Sequence, residues 1–124
     1  MIRKIHTDSA PAAIGPYSQA IEVNGTLYIS GQIPVNPADG QIQDEITAAA
    51  HQSLKNIGAI LKEAGMTYDN VVKTTVLLAD IADFKAVNEV YAEYFTGDKP
   101  ARACYQAAAL PLGVKVEIEA IAVK

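Results

Sequence analysis

The sequence has 124 residues, 50% of them hydrophobic and 19% charged, with a formal net charge of −4, which predicts one globular domain over residues 1–124 and argues against disorder. The ten Lys and Arg residues are scattered along the chain, so nucleic acid is an unfavourable partner. A single cysteine excludes an intrachain disulfide, and we expect a cytoplasmic protein because neither a signal-peptide-like N-terminus nor an apolar run of roughly 18 residues is present.

The first half of the chain predicts a β-hairpin, a loop and a long helix. Residues 19–23 and 26–31 predict two strands, because the Asn-Gly pair between them suits a type I′ turn. A loop over residues 34–40 follows, since this stretch contains two prolines and an Asp-Gly pair. Residues 44–64 predict a helix, because apolar side chains recur at spacings of three and four, and Gly65 suits its left-handed cap.

The chain after this helix predicts a strand and a second helix. Residues 71–79 are rich in β-branched side chains, which favour a strand. Asp80 and Asp83 suit the start of a helix, where carboxylates accept hydrogen bonds from free backbone N–H groups. Gly97 and Pro100 are typical of its end.

Two final strands, over residues 101–109 and 114–123, complete the predicted order ββαβαββ. Runs of strands interrupted by two helices are typical of an α+β domain. We therefore expect a mixed β-sheet with two helices packed on one face.

The predicted strands are apolar on both faces, although two helices can cover only one. In the central strand, alternation points Val72, Val76 and Leu78 one way and Leu77 the other. A sheet that is apolar on both faces needs cover on both. A second subunit would provide that cover, so we expect an oligomer; the alternative is that the loop at residues 32–43 folds over the exposed face.

Polar side chains interrupt these apolar strands. Lys73 lies in the central strand, Arg102 and Cys104 share a face of the next one, and Glu117 and Glu119 lie in the last. Charges in such places cost free energy unless they are paired or functional. One explanation is structural: an ion pair of Lys73 or Arg102 with Glu119, or a solvated edge, with Cys104 as a small buried residue.

The other explanation is chemical. The planar guanidinium of Arg102 matches a carboxylate, and a nearby glutamate can hold and deprotonate a water molecule. Together they suit a small carboxylate-bearing substrate that is attacked by water. Cys104 lies beside a cation, which would lower the pKa of its thiol. Tyr17 lies on a turn and could reach a pocket or a neighbouring subunit.

Five motifs, in order, cover nearly the whole chain and resemble those of the RidA (YjgF) family. They are AIGPYSQA at residues 13–20, LYISGQIP at 27–34, VVKTTV at 71–76 with VNEVY at 87–91, PARAC at 100–104 with Leu110-Pro111, and VEIEA at 116–120. The resemblance implies a chorismate-mutase-like (YjgF-like) α+β fold and a homotrimer with clefts between subunits.

The resemblance also implies an activity, namely hydrolysis of 2-aminoacrylate and 2-aminocrotonate enamines, or their imine tautomers, to 2-keto acids and ammonia. Pyridoxal-phosphate enzymes such as serine/threonine dehydratase produce these intermediates. No metal and no organic cofactor is implied. Two other functions remain open: a 2-keto acid-binding sensor without turnover, which would use the same arginine, and an endoribonuclease or translation inhibitor, which the net charge disfavours.

Carried over by resemblance, Arg102 would bind the substrate carboxylate and Glu117 would position and activate the water. Cys104 would contribute mainly backbone groups. Four residues would line the cleft, with Lys73 nearby: Tyr17, Ser30, Gly31 and Asn88. Tyr105 and Gln106 would tune which substrate side chain is accepted.

Overall fold

The computed structural model describes all residues from Met1 to Lys124 and has the predicted α+β architecture, one mixed sheet with two helices. The six strands lie in the spatial order β1-β2-β3-β6-β4-β5, and only β4 and β5 run parallel. The strands are β1 (Ile2–Ile5), β2 (Ala20–Val23), β3 (Thr26–Gln32), β4 (Val71–Leu78), β5 (Ala101–Gln106) and β6 (Val116–Val123), and the helices are α1 (Ile46–Glu63) and α2 (Phe84–Tyr94).

The edge strand β1 is one strand more than the sequence predicted. It pairs with β2, and only Ile5 among its four residues is buried. A strand with one buried side chain has no apolar alternation to reveal it. The hairpin of β2 and β3 is confirmed, since Asn24 and Gly25 both have positive φ, at 51° and 80°, as a type I′ turn requires.

Both helices begin at carboxylates and pack on one face of the sheet. Glu45 caps α1 by accepting from the backbone N of Thr47 at 2.7 Å, and Asp80 caps a short 3₁₀ turn before α2. The core lies between the helices and the sheet. In β6 alternate residues supply it, each at most 3% exposed: Val116, Ile118, Ala120 and Ala122. Neither helix is long and apolar enough to cross a membrane.

The other face of the sheet is uncovered. Tyr28, Tyr105 and Val123 are 40–51% exposed. The alternative to an oligomer was that the loop at residues 32–43 covers this face, but these side chains remain exposed. Asn56 of α1 donates hydrogen bonds to the carbonyls of Ile33 and Val35, which attach the loop to the helix.

The sequence-based placement of Val72 on the same face of β4 as Val76 and Leu78 is wrong. The register between β4 and β6 shifts between Val71 and Lys73, so Val72 bulges and is 48% exposed, while Val71 is buried. A bulge inserts one residue and reverses the alternation on one side of it. From Thr74 onward the predicted alternation holds, with Val76 and Leu78 buried.

Candidate active site

A β-bulge shapes one end of the sheet. Ile29 of β3 pairs with Ala120 of β6, but the next pairing joins Gln32 to Ile118, so Ser30 and Gly31 together face one residue of β6. The carboxylate of Glu117 lies directly against Gly31, where the Cβ of any other residue would overlap it. The absence of a side chain at Gly31 therefore lets the Glu117 carboxylate approach the β3 backbone.

A cavity of about 660 Å³ opens at this bulge. It contains four of the predicted site residues, Tyr17, Ser30, Gly31 and Glu117, and also Glu119, which the same face of β6 presents. The rest of its wall comes from the segment before β2, the start of the loop after β3, and Pro111 and Leu112. Four predicted residues, from three segments that are distant in sequence, thus lie around one cavity.

The carboxyl group of Glu117 is poised for proton transfer. Burial raises the pKa of Glu117, and the nearby carboxylate of Glu119 raises it further. A carboxyl whose pKa is shifted toward neutrality takes up and returns protons more readily near physiological pH. Such a shift, in a cavity, is a recognised property of acid–base groups.

The turn that carries Tyr17 is fastened to the bulge by Ser30. The Ser30 hydroxyl donates to the Ser18 carbonyl at 2.6 Å, and the Ser30 backbone N–H donates to the Gln19 carbonyl at 2.9 Å. The side chain of Tyr17 is free to meet a ligand, since the residue is 54% exposed. Because the Ser30 hydroxyl proton is engaged, Ser30 can offer a ligand only its oxygen lone pairs.

Arg102 is held in a second group of residues, on β5 and α2. Its Nη1 donates to Asn88 Oδ1 at 2.7 Å, and its guanidinium carbon lies 4.8 Å from the centroid of the Tyr91 ring and 5.5 Å from that of Phe84. The Tyr91 hydroxyl is in turn fixed by the buried Thr74 hydroxyl at 2.7 Å. The guanidinium is oriented by these contacts and has N–H groups left for a carboxylate.

The predicted ion pairs within the sheet are absent. The four ion pairs of the chain join Arg3 and Lys124 to Glu22, His6 to Asp8, and His51 to Glu93. Lys73, Arg102, Glu117 and Glu119 take part in none of them. No three His, Cys, Asp or Glu side chains come together as metal ligands.

Cys104 and Lys73 differ from the expectations for them. Cys104 lies two residues from Arg102 on the same face, as predicted, but its thiol pKa is raised, because burial outweighs the lowering effect of the Arg102 charge. The hypothesis of a cation-activated thiol is therefore wrong. Lys73 lines a separate pocket of about 170 Å³ on the uncovered face, together with Tyr28 and Glu119.

The two groups of predicted residues lie on opposite faces of the sheet. Arg102 is paired with Thr74 of β4 and Glu117 with Leu77. Because Thr74 and Leu77 are three residues apart in a regular strand, their side chains and those of their partners point to opposite faces. Arg102, Asn88 and Cys104 line no part of the 660 Å³ cavity. One chain does not bring Arg102 and Glu117 together.

Sequence reasoning missed three contributors to these groups. Glu119 was considered only as an ion-pair partner, although its position two residues from Glu117 places both on one face. Phe84 and Tyr91 belong to the apolar stripe of α2, and no sequence pattern distinguishes a core aromatic ring from one that flanks a guanidinium.

The sequence model of the family described as Endoribonuclease L-PSP matches residues 7–124. The chain belongs to this family, the RidA (YjgF) family that its motifs predicted. A mouse protein named 2-iminobutanoate/2-iminopropanoate deaminase is 60% identical over 126 residues, which span 100% of this chain and 93% of the mouse protein. The human protein of the same name is 58% identical over 98% of this chain and 90% of its own length.

Solved structures of RidA-family proteins share the fold closely. The YjgF gene product of E. coli has a TM-score of 0.96 and 46% identity, covering 98% of both chains. E. coli TdcF, whose crystal structure contains bound serine, has a TM-score of 0.96 and 43% identity over 98% of both chains. These likenesses confirm the predicted fold class.

Proposed function

We propose that this protein is a 2-iminobutanoate/2-iminopropanoate deaminase, which hydrolyses 2-imino acids and their enamine tautomers to 2-keto acids and ammonia. The mouse and human relatives carry this name and match the chain nearly from end to end. These names support the activity predicted from the sequence motifs, which is the hydrolytic deamination of 2-imino acids. The serine bound to TdcF supports a small amino-acid-like ligand for the family's cleft.

The observation that supports the mechanism is that Arg102 and Glu117 lie apart within one chain, each without a partner of opposite charge. Arg102 offers an oriented guanidinium with no carboxylate partner, and Glu117 offers a carboxyl of raised pKa with no cation. A substrate that has a carboxylate at one end and a carbon awaiting water at the other needs both. We infer that Arg102 of one subunit faces the cavity of a neighbour, and that a homotrimer closes three such clefts.

The uncovered face of the sheet supports this assembly. Its exposed apolar side chains, among them Tyr28, Tyr105 and Val123, are of the kind that a subunit interface buries. Since Arg102 and Glu117 lie on different faces, the contact is heterologous, with one surface of a subunit meeting a different surface of the next. Such contacts generate a closed ring where the rotation between neighbouring subunits closes, and a trimer is a ring of this kind.

In the proposed reaction, Arg102 binds the substrate carboxylate and Asn88 keeps the guanidinium in place. Starting from the protonated imine, Glu117 accepts a proton from a water molecule as the water oxygen bonds to C2 and the electrons of the C=N π bond move to nitrogen, which gives a neutral carbinolamine. Glu117 returns that proton to the amino nitrogen, the C–N bond breaks to release ammonia, and the C2 hydroxyl passes its proton to Glu117 as it becomes the carbonyl of the 2-keto acid. An imine carbon is already electrophilic, so orientation and proton transfer suffice.

The remaining predicted residues have secondary parts in this scheme. Tyr17, Ser30 and Gly31 line the cavity around Glu117, and Cys104 contributes backbone groups beside Arg102. Lys73 is the exception and has no part in this scheme within one chain, because it lines the separate pocket of about 170 Å³. Because 2-imino acids hydrolyse spontaneously, their source must be close, and pyridoxal-phosphate dehydratases of the cytoplasm are the proposed suppliers.

The family description raises a second candidate, an endoribonuclease. The charge opposes it, because the formal net charge of the chain is −4, and the ionisable side chains that one chain contributes to the cavity are Glu117, Glu119 and Tyr17, to which the proposed assembly adds Arg102 of a neighbour. A phosphate backbone is bound by cationic side chains. We expect no cleavage of RNA by the purified protein at any salt concentration; cleavage that Glu117→Gln removes would favour this second candidate.

A coupled assay tests whether the protein catalyses the proposed reaction. With threonine and a threonine dehydratase, the protein should accelerate the appearance of 2-ketobutyrate and ammonia. A protein that binds 2-ketobutyrate in calorimetry without this acceleration would be a sensor, not an enzyme.

Mixed oligomers test whether the cleft is shared. Arg102→Ala and Glu117→Gln should each be inactive alone. After the two variants are unfolded together and refolded, we expect activity to return to about a quarter of the wild-type value, because some clefts then combine an intact Arg102 with an intact Glu117. Refolded single variants are the control, and a mixture as inactive as its components would contradict a cleft shared between subunits.

A further inference from the structure

Gln19 lines the cavity, and the polar atoms of its side chain are engaged in hydrogen bonds within the chain. The residue is 3% exposed. Its Oε1 accepts from the Thr7 backbone N–H at 2.8 Å, and its Nε2 donates to the carbonyls of Thr7 at 3.0 Å, Ala10 at 3.3 Å and Pro11 at 2.8 Å. One carboxamide thus contacts four backbone groups of residues 7–11, with its two N–H hydrogens shared among the three carbonyls, and this segment belongs to no strand or helix.

Apart from the packing of Ala10 in the hydrophobic core, this segment has no comparable hydrogen-bonded attachment to the sheet. Among residues 8–14, no backbone group bonds to another backbone group, and the Ser9 N–H donates only to the neighbouring Thr7 hydroxyl at 3.1 Å. Irregular backbone that lacks such bonds opens at low free-energy cost. The side chain of Gln19 is therefore the hydrogen-bonded link that holds residues 7–11 against the sheet.

The same segment forms part of the cavity. Pro11 and Ala12 line it, followed along the chain by Ile14 and Tyr17. At its other end Gln19 is fixed through its backbone carbonyl, which accepts from the N–H of Ser30 at 2.9 Å. Gln19 thus joins the wall at Pro11 to the bulge formed by Ser30 and Gly31. Gly31 in this bulge lies directly against the carboxylate of Glu117.

We propose that Gln19 is a positioning residue of the deaminase cleft, which sets the distance between the wall of residues 11–17 and the carboxylate of Glu117. This inference rests on the proposed function. Gln19 does not take part in proton transfer; it keeps the cavity at the width in which substrate and water meet Glu117. A mispositioning of about 1 Å in an active site can cost about 100-fold in rate.

Replacement of Gln19 by methionine tests the role with little change in volume. Gln19→Met removes all four hydrogen bonds, and Gln41→Met, at an exposed glutamine, is the matched control. Both are assayed well below their melting temperatures. We expect kcat/KM of Gln19→Met to fall by about 10- to 100-fold, with unchanged circular dichroism and oligomer mass, while Gln41→Met stays at the wild-type value.

Hydrogen exchange gives a readout that is independent of activity. The backbone amides of residues 7–10 should exchange faster in Gln19→Met, and those of β4 and β6 should not. Faster exchange with wild-type kcat/KM would overturn the proposal, since Gln19 would then serve stability alone, and unchanged exchange would overturn the link itself. A wild-type protein without deaminase activity would instead overturn the proposed function, and the inference with it.

Gln19→Glu provides a second variant in case the methionine form does not fold. Its ionised carboxylate would face three carbonyl oxygens, whereas the neutral carboxyl can donate to one of them and still accept from Thr7. The enzymatic rate of this variant relative to wild type should therefore rise as pH falls from about 8 to about 5.5. A ratio that does not change with pH would count against the positioning role.

Discussion

Replacement of Arg102 by alanine should reduce kcat/KM for 2-iminobutanoate by about 100-fold or more. The loss of one partner of a desolvated charge pair costs about 3 kcal/mol, and about 1.4 kcal/mol corresponds to a factor of ten in rate. The fold should survive, because Arg102 forms no ion pair within its chain and has one side-chain hydrogen bond, to Asn88. The measurement is the coupled assay beside the oligomer mass in solution.

Two further variants sharpen this prediction. Arg3→Ala removes an arginine whose side chain is 56% exposed and pairs with Glu22, and it should leave the rate unchanged. Arg102→Lys retains the charge but loses the planar fork, so it should recover only a small part of the activity. If Arg102→Ala deaminates at the wild-type rate while folded, Arg102 does not bind the substrate.

The loss should also appear in binding without turnover. Calorimetry with 2-ketobutyrate should detect binding to the wild-type protein and none to Arg102→Ala. Glu117→Gln, in contrast, should retain the binding of 2-ketobutyrate, because the carboxylate of the ligand meets Arg102 and not Glu117. The two variants therefore separate the group that binds from the group that transfers protons.

Local sequence patterns were sufficient for most of the fold. Asn24 and Gly25 determine their turn by their own conformational preferences, and the apolar spacing of residues 46–61 is the buried stripe of α1. The strand β1 could not be found in this way, since Ile5 is its only buried side chain. The bulges at Val72 and at Ser30–Gly31 depend on pairing with β6, which is distant in sequence.

The candidate site was less accessible to such reasoning. The resemblance supplied the site residues, which are Tyr17, Ser30, Gly31, Asn88 and the two proposed catalytic residues. Spacing within one strand shows which of its side chains share a face, but not which face of the sheet they share with residues of another strand. The separation of Arg102 from Glu117 follows from the register of β5 and β6 on β4. The raised thiol pKa of Cys104 likewise depends on burial. The proximity of Arg102 and Cys104 in the sequence does not show how deeply the thiol is buried.

Gly31→Ala should inactivate the protein nearly as completely as the loss of Glu117. The new Cβ would occupy the place of the Glu117 carboxyl group, which must then move off the β3 backbone. The backbone itself is not strained by the substitution, since Gly31 is not among the residues with positive φ. We expect kcat to fall by about 100-fold, the effect of a displacement of about 1 Å, with a smaller change in KM because Arg102 is untouched.

Gly97→Ala is the matched control, because a Cβ there would meet only Asp69 Oδ1, at 3.5 Å; it should keep wild-type kcat. Glu117→Asp shortens the side chain and withdraws the carboxyl group from the space next to residue 31. The shorter side chain also displaces the carboxyl group from its catalytic position, so this variant alone should be slower than wild type. Since the two substitutions act on one contact, their effects should not add, and the double variant Gly31→Ala/Glu117→Asp should be no slower than Gly31→Ala alone. Additive losses would mean that Gly31 and Glu117 act independently, and that the close approach of this carboxylate to β3 is not what the reaction requires.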